Sequence, residues 1–240
     1  MWKNQTLIFF WILFMGFVFA ACVGVGETEV ETRIIELGNA DGALVELDMG
    51  AGELELHGGA RGLMEVTFTY NVHKWKPTIH YEMDGGEAIL QVRQGKAEGI
   101  PMGDTENRWD ISLNETVPID LRIDIGAGKG TLDLRDIRLN DLDIEAGVGE
   151  LILDLSGERS QDLDVDIKGG VGSATITLPE EIGVRVRVNG GIGSVHAHGL
   201  HKDGQVYTND AFGESEVEIY IQIEAGIGSV ELKTRKASFV

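Results

Sequence analysis

The triplet Gly-x-Gly recurs six times along the chain, at Gly50-Ala51-Gly52, Gly126-Ala127-Gly128, Gly147-Val148-Gly149, Gly170-Val171-Gly172, Gly191-Ile192-Gly193 and Gly226-Ile227-Gly228. From Gly126 to Gly191 the copies are separated by 21, 23 and 21 residues, about the length of one coil of a parallel β-helix. A unit this short cannot bury an apolar face alone, so the repeats must stack on one another. The chain holds 33 glycines and 4 prolines without a Gly-X-Y period, which sets collagen aside.

The residues around each triplet identify the element. Leu142, Ile144, Ala146 and Val148 alternate with polar residues, the period of two of a half-buried strand. After the triplet the phase shifts: Val148 is followed by Leu151, Leu153 and Leu155. The same step separates Ala51 from Leu54, Val171 from Ala174, Ile192 from Val195 and Ile227 from Val230. One step of three within a period of two marks a corner or bulge, where glycine permits positive φ and close backbone approach. A phosphate-cradling loop is the competing reading, invited by Gly126-Ala127-Gly128-Lys129-Gly130-Thr131. It fails because no Ser or Thr follows Lys129 directly and a strand pattern, not a helix, follows the glycines.

Stacking the coils in chain order predicts the outer rows. Asp143 then neighbours Asp166 and Asp166 neighbours Arg187; Asp164 lies beside Arg185, Glu145 beside Lys168, and Asp124 beside Glu145. Exposed pairs of this kind contribute about 0–1 kcal/mol and help to specify register, whereas each buried Val, Leu or Ile contributes about 1.5–3 kcal/mol.

Residues 58–117 interrupt the repeat and read as further strands. Val66, Phe68, Tyr70 and Val72 share a face, Asp84-Gly85-Gly86 turns a hairpin, and Trp109, Ile111 and Leu113 alternate. The segment also carries Tyr70, His73, Lys74, Trp75 and Lys76. Trp75 with Lys74 and Lys76 is a candidate partner contact; the other reading has Trp75 and Trp109 covering the open end of the solenoid.

The N-terminus has a basic start at Lys3 and an apolar run from Leu7 to Ala21 that ends in Phe19-Ala20-Ala21-Cys22, with Cys22 the only cysteine. It reads as an export signal over residues 1–21, a lipidated Cys22 opening a tether over 22–30, and a membrane anchor outside the cytoplasm. An uncleaved anchor is the alternative, because the apolar stretch approaches the ~20 residues that span a bilayer. The exported part divides into an irregular β region, 31–118, and regular coils, 119–240.

In this order the stretches VELDMGAG (45–52), TFTYNVHKWKP (67–77), NRWDISLNETVPIDL (107–121), the Gly-x-Gly coils and DGQVYTNDAFG (203–213) resemble the toast-rack family of bacterial β-solenoid domains, including its N-terminal type. The resemblance covers nearly the whole mature chain. It implies an all-β, right-handed, single-stranded β-helix-like fold. It also implies kinship with lipoproteins, adhesin-like proteins and cell-envelope stress proteins, and it brings no catalytic residues or cofactor to carry over.

The chemistry left to weigh is sparse. His196, His198 and His201, with Asp203 nearby, are a candidate metal set; Asp124 beside Glu145 is a candidate calcium contact, although the β-roll nonapeptide is missing. A formal net charge of −20 leaves no overall basic surface for nucleic acid. The reading that results is a non-catalytic, membrane-tethered binding, sensor or adhesin-like module whose partner is an envelope protein or wall polymer. The alternative is a carbohydrate-active enzyme, which needs Trp75 together with carboxylates or Arg in one cleft.

Overall fold

A computed structural model describes residues 23–96 and 101–236. Its strands in chain order are β1 (Val23–Gly24), β2 (Glu29–Ile35), β3 (Gly42–Gly58), β4 (Met64–Tyr70), β5 (Thr78–Asp84), β6 (Glu87–Arg93), β7 (Pro101–Met102) and β8 (Asn107–Leu113). There follow β9 (Ile119–Asp133), β10 (Leu139–Asp154), β11 (Leu163–Pro179), β12 (Gly183–His198), β13 (His201–Asp203), β14 (Val206–Thr208) and β15 (Glu218–Arg235). A 3₁₀ turn, His73–Trp75, lies between β4 and β5.

β3, β9, β10, β11, β12 and β15 are 15 to 18 residues long, well beyond the usual 3–10 residues of a strand. Each carries one Gly-x-Gly triplet and so contributes to two faces that meet at the glycines. The residues before the triplet build a first face, those after it a second, and the apolar rows of both are buried: Leu142, Ile144, Leu151 and Leu153 on β10, for example. The step of three read from the sequence is this corner.

The coils stack in parallel with their triplets in register, Gly52 against Gly128, Gly128 against Gly149, and Gly149 against Gly172. Only glycine fits there. The second glycine of the β10 triplet, Gly149, has φ +148°, and a Cβ on it would run into the carbonyl oxygen of Gly128. The first glycines are also confined, since a Cβ on Gly191 would lie 2.6 Å from the Gly226 carbonyl oxygen. Two columns of glycine therefore let the backbones approach at the corner.

Chain order is not stacking order at the C-terminal end. The sheet runs β3, β9, β10, β11, β15, β12, β14, β13, so the last strand lies between β11 and β12, parallel to both. This overturns the expected pairing of Asp166 with Arg187 and of Asp164 with Arg185. β14 is antiparallel to β12 and takes one of its edges, so the returning β15 finds its ladder only on the other. Asn209 holds this closure, donating to the carbonyls of Pro179 (3.1 Å) and Ile182 (2.7 Å) while its own Oδ1 accepts from the Val184 N–H (2.9 Å).

A second correction concerns the corner residues. Val148 and Val171 are 56% and 49% exposed rather than buried with the inward row, and they border an apolar groove at the corner together with Ala146, Leu151, Ile167 and Val230. The middle positions Ala51, Ala127, Val148 and Val171 stand in register along the corner.

The irregular region forms strands as expected, and β5 and β6 make a hairpin across Gly85-Gly86. β6 continues the first face of β3, and β8, β4 and β2 continue its second. Trp109 is fully buried within β8, edge-to-face with Phe68 at 5.3 Å, and its Nε1–H is donated to Asn107 (3.2 Å). It belongs to the core, and the end is closed instead by β2, whose row Glu29, Glu31 and Arg33 faces Tyr70, Phe68 and Val66. Charges on the last strand protect it against adding another. At the opposite end the β13–β14 hairpin buries Tyr207, with the Lys202 ammonium 5.4 Å from the ring centroid.

Candidate functional site

The outer side of the first face presents its polar side chains in straight rows. On β3, β9, β10 and β11 the basic side chains of this face find carboxylates, while Asp48, Asp120, Asp124 and Asp141 form no ion pair among the described residues. Arg122 bridges Glu46 (3.3 Å) and Asp143 (3.7 Å), and Lys168 meets Glu145 (3.1 Å), as read from the sequence. Asp143 and Asp166 are register neighbours, as expected. Like charges also face one another: Asp48, Asp124 and Glu145 form one row. Burial first, then Asp48 and Glu145, raise the Asp124 carboxyl above its ordinary value. Asp141 is raised likewise by burial, then by Asp143, Asp120, Asp164 and Asp166. Among the described residues no group of three or more His, Cys, Asp or Glu side chains is arranged to hold a metal ion.

Toward β12 the pattern changes, and the cause is the inserted strand. Two rows cross β11, β15 and β12: Asp164, Tyr220, Arg185 and, one step along, Asp166, Gln222, Arg187. Acidic and basic residues that adjacent stacking would bring together are held two strand spacings apart, about 9–10 Å. Among the described residues none of these four charges forms an ion pair within 4 Å. The six side chains line a groove of about 430 Å³. Tyr220, 37% exposed, is fixed from two sides, by edge-to-face contact with Phe212 at 6.2 Å and by donation of its hydroxyl to Glu218. That bond to the carboxylate is the first cause raising the Tyr220 hydroxyl's pKa, so the group stays a donor.

Tyr220 and Gln222 went unmarked in the sequence. The signal was present in the alternation of Ile219, Ile221 and Ile223, all buried, which turns both residues outward; the order of strands was not.

The aromatic and basic cluster is largely consumed within the protein. Tyr70 donates to Glu31 (2.8 Å) and Glu29 (3.1 Å), His73 bonds Glu29 (3.1 Å), and Lys76 pairs with Glu31. Burial first, then Glu31 and Glu29, push the Tyr70 hydroxyl far up. The Lys76 bond, then Tyr70, lowers Glu31, and the His73 bond, then Tyr70, lowers Glu29. Lys74 is exposed and Trp75 half-buried. Trp75 borders a groove of about 530 Å³ with Glu53, Glu106, Arg108 and Lys129. Of these, Glu106 accepts from Thr28, Arg108 pairs with Glu55 and Lys129 with Glu150.

The candidate metal histidines do not converge. His196 and His198 lie exposed on β12, while His201 on β13 is paired with Asp210 at 2.6 Å. Cys22 and the export signal fall outside the described residues. Among the described residues no helix is long and apolar enough to cross a membrane.

Comparison with known proteins adds two family matches. The family described as the N-terminal domain of toast_rack, DUF2154, matches residues 24–177, and that described as cell wall-active antibiotics response LiaF, C-terminal, matches residues 127–232. The crystal structure of a candidate cell adhesion protein from Clostridium sporogenes ATCC 15579 is 34% identical, covers 87% of this chain and 100% of its own, and superposes with a TM-score of 0.83. A candidate adhesin from Bacteroides fragilis NCTC 9343, 10% identical over 88% of this chain and 99% of its own, reaches a TM-score of only 0.33. That second likeness carries no argument. No curated protein matches the sequence.

Proposed function

The chain belongs to the toast-rack family, and on that premise we propose that it is a non-catalytic, adhesin-like binding module tethered to the outer face of a bacterial membrane. The observation that carries the reading is the full-length likeness to the Clostridium sporogenes cell adhesion candidate, all of which this chain covers. The match of residues 127–232 to a cell wall-active antibiotics response domain supports a place in the envelope. Physical features agree with it. A stack of parallel coils with in-register glycine columns is a stiff platform, and on its first face it leaves charged and aromatic side chains open to a partner. Lipidation of Cys22 after removal of residues 1–21 supplies the tether, directly ahead of β1 and of the closing strand β2.

Crosslinking in intact cells, followed by recovery of the wild type and of Cys22→Ser, tests this reading. The wild type is expected in the membrane fraction with an envelope protein or a wall polymer attached, and Cys22→Ser to lose both. Identical fractionation of the two forms would remove the lipid tether from the proposal. Recovery of no specific partner by the wild type would remove the binding role.

A further inference from the structure

We propose that the six-residue array Asp164, Tyr220, Arg185, Asp166, Gln222 and Arg187 is a saccharide-binding site whose ligand is a largely neutral sugar carrying one anionic substituent, a carboxylate or a phosphate. The assignment rests on the binding-module reading and names the ligand class of its first face.

Topology makes the site. Had β12 stacked directly on β11, Asp164 with Arg185 and Asp166 with Arg187 would close as exposed ion pairs of small value. Insertion of β15 parts each pair by two strand spacings and fills the gap with Tyr220 and Gln222. The result is a floor with an aromatic ring and a planar amide at its centre, carboxylates on one bank and guanidinium groups on the other. Elsewhere on this face Arg122, Lys168 and Arg93 are bound to carboxylates of neighbouring strands, so among the described residues guanidinium groups left without a carboxylate are particular to this place.

Each part matches a part of a sugar. The weakly positive C–H face of a pyranose ring lies well on the negative face of a tyrosine ring. Carboxylate, amide and guanidinium groups each present two hydrogen-bonding atoms in a plane, suited to adjacent hydroxyls. Arg185 and Arg187 are on the same side of one strand, about 6.5–7 Å apart, and together attract an anionic substituent in a charge-assisted geometry. Because the chain carries a formal net charge of −20, a densely anionic polymer is repelled as a whole; a single anionic group on a hydroxyl-rich ring is not. The groove's volume of about 430 Å³ falls in the range of small-ligand pockets, ~300–1,000 Å³. A protein partner fits less well: interface centres are depleted of Asp and built on buried aromatic or apolar anchors, and the one aromatic here is a surface ring between four charges.

The Trp75 groove is the natural rival. Its Arg108, Lys129 and Glu106 are already held by Glu55, Glu150 and Thr28, so a ligand there has to break bonds of charged side chains, whereas the four charges of the array hold none among the described residues.

The test is calorimetric titration of the full chain, kept in detergent micelles, with three probes: cellobiose, a glucose–glucuronic acid disaccharide and cellobiose phosphate. Binding of an acidic probe at least tenfold tighter than cellobiose is expected, and the preferred acidic probe tells carboxylate from phosphate. Tyr220→Ala should weaken every probe at least tenfold. Arg185→Gln with Arg187→Gln should abolish the preference for acidic probes, which then bind no tighter than cellobiose does to the same variant. Gln222→Ala, a milder change at the same floor, gives a second reading, and unaltered unfolding midpoints show that the surface changes leave the fold intact. Binding that survives Tyr220→Ala, or that is lost in Trp75→Ala instead, overturns the assignment. If no probe binds, the site is overturned as well. Cell-surface crosslinking of the wild type then separates the cases: a captured envelope protein keeps the binding-module reading without its saccharide site, and no capture removes both.

Discussion

Replacing Gly149 with alanine measures what the glycine columns contribute. At φ +148° an L residue sits in a sparsely populated region, at about 1–3 kcal/mol. The new Cβ also meets the carbonyl oxygen of Gly128 on the neighbouring coil, backbone that cannot swing aside as a side chain can. Relieving the contact means bulging the ladder and losing two hydrogen bonds, about 1 kcal/mol each. The expected destabilisation is about 3–5 kcal/mol, at the upper end for single substitutions. Two glycines separate the causes. Gly59, at φ +106° with nothing within 4 Å of a Cβ, should show the conformational part alone, about 1–3 kcal/mol. Gly169 has neither problem, and its register neighbours are Ala146 and Ala225. Gly169→Ala should therefore stabilise by about 0.4–1 kcal/mol, by narrowing the unfolded ensemble. Urea unfolding of the full chain followed by tryptophan fluorescence and far-UV circular dichroism reads all three. A Gly149→Ala midpoint equal to wild type, or a Gly169→Ala loss as large as that of Gly149→Ala, refutes the close-approach argument.

Further outcomes follow from the same structure. Trp109→Ala removes a fully buried ring and its contact with Phe68, and should cost about 3–5 kcal/mol in the same unfolding assay. A chain ending at Val217 lacks the buried Ile219, Ile221, Ile223, Val230 and Leu232. At about 1.5–3 kcal/mol each, these rival the ~5–15 kcal/mol stability of a whole domain, so limited proteolysis should degrade β11 and β12, and added peptide 218–235 should restore protection. Glu31→Gln and Asp141→Asn should have opposite signs. The Glu31 carboxyl is lowered from its ordinary 4.5, chiefly by Lys76 and then Tyr70. Its ionised form thus stabilises the fold above pH 4.5 and the benefit is lost as pH falls through the folded value. Glu31→Gln lowers the thermal midpoint at pH 7 and loses its effect in acid. Asp141 is raised from 3.8 by burial and then its acidic neighbours, so its ionisation weakens the fold as pH rises above 3.8; Asp141→Asn raises the midpoint at pH 7 but not at pH 3.

The parts of this fold that were legible in the sequence are those set by local geometry. A step of three between Val148 and Leu151 specifies a corner because side chains alternate along a strand, and the recurring triplet specifies register because glycines must meet glycines. Within β9, β10 and β11 these two rules suffice, and the Glu145–Lys168 pair followed from them. They fail at the last coil for a physical reason. The columns are satisfied equally by β12 on β11 or by β15 on β11, since both carry a triplet, both alternate, and both present apolar rows of the same period. The choice is made by the hairpin β13–β14, which occupies an edge of β12 through antiparallel pairing that no Gly-x-Gly triplet marks. Charge complementarity pointed to the wrong neighbour: Asp164 with Arg185 and Asp166 with Arg187 look like register pairs until β15 intervenes. Surface pairs of that kind are worth about 0–1 kcal/mol, against five buried side chains brought by β15 at about 1.5–3 kcal/mol each, so the core decides the order and the charges are left where the order puts them. Charges that the core holds apart, with an exposed tyrosine between them, are free to be satisfied by something other than the protein.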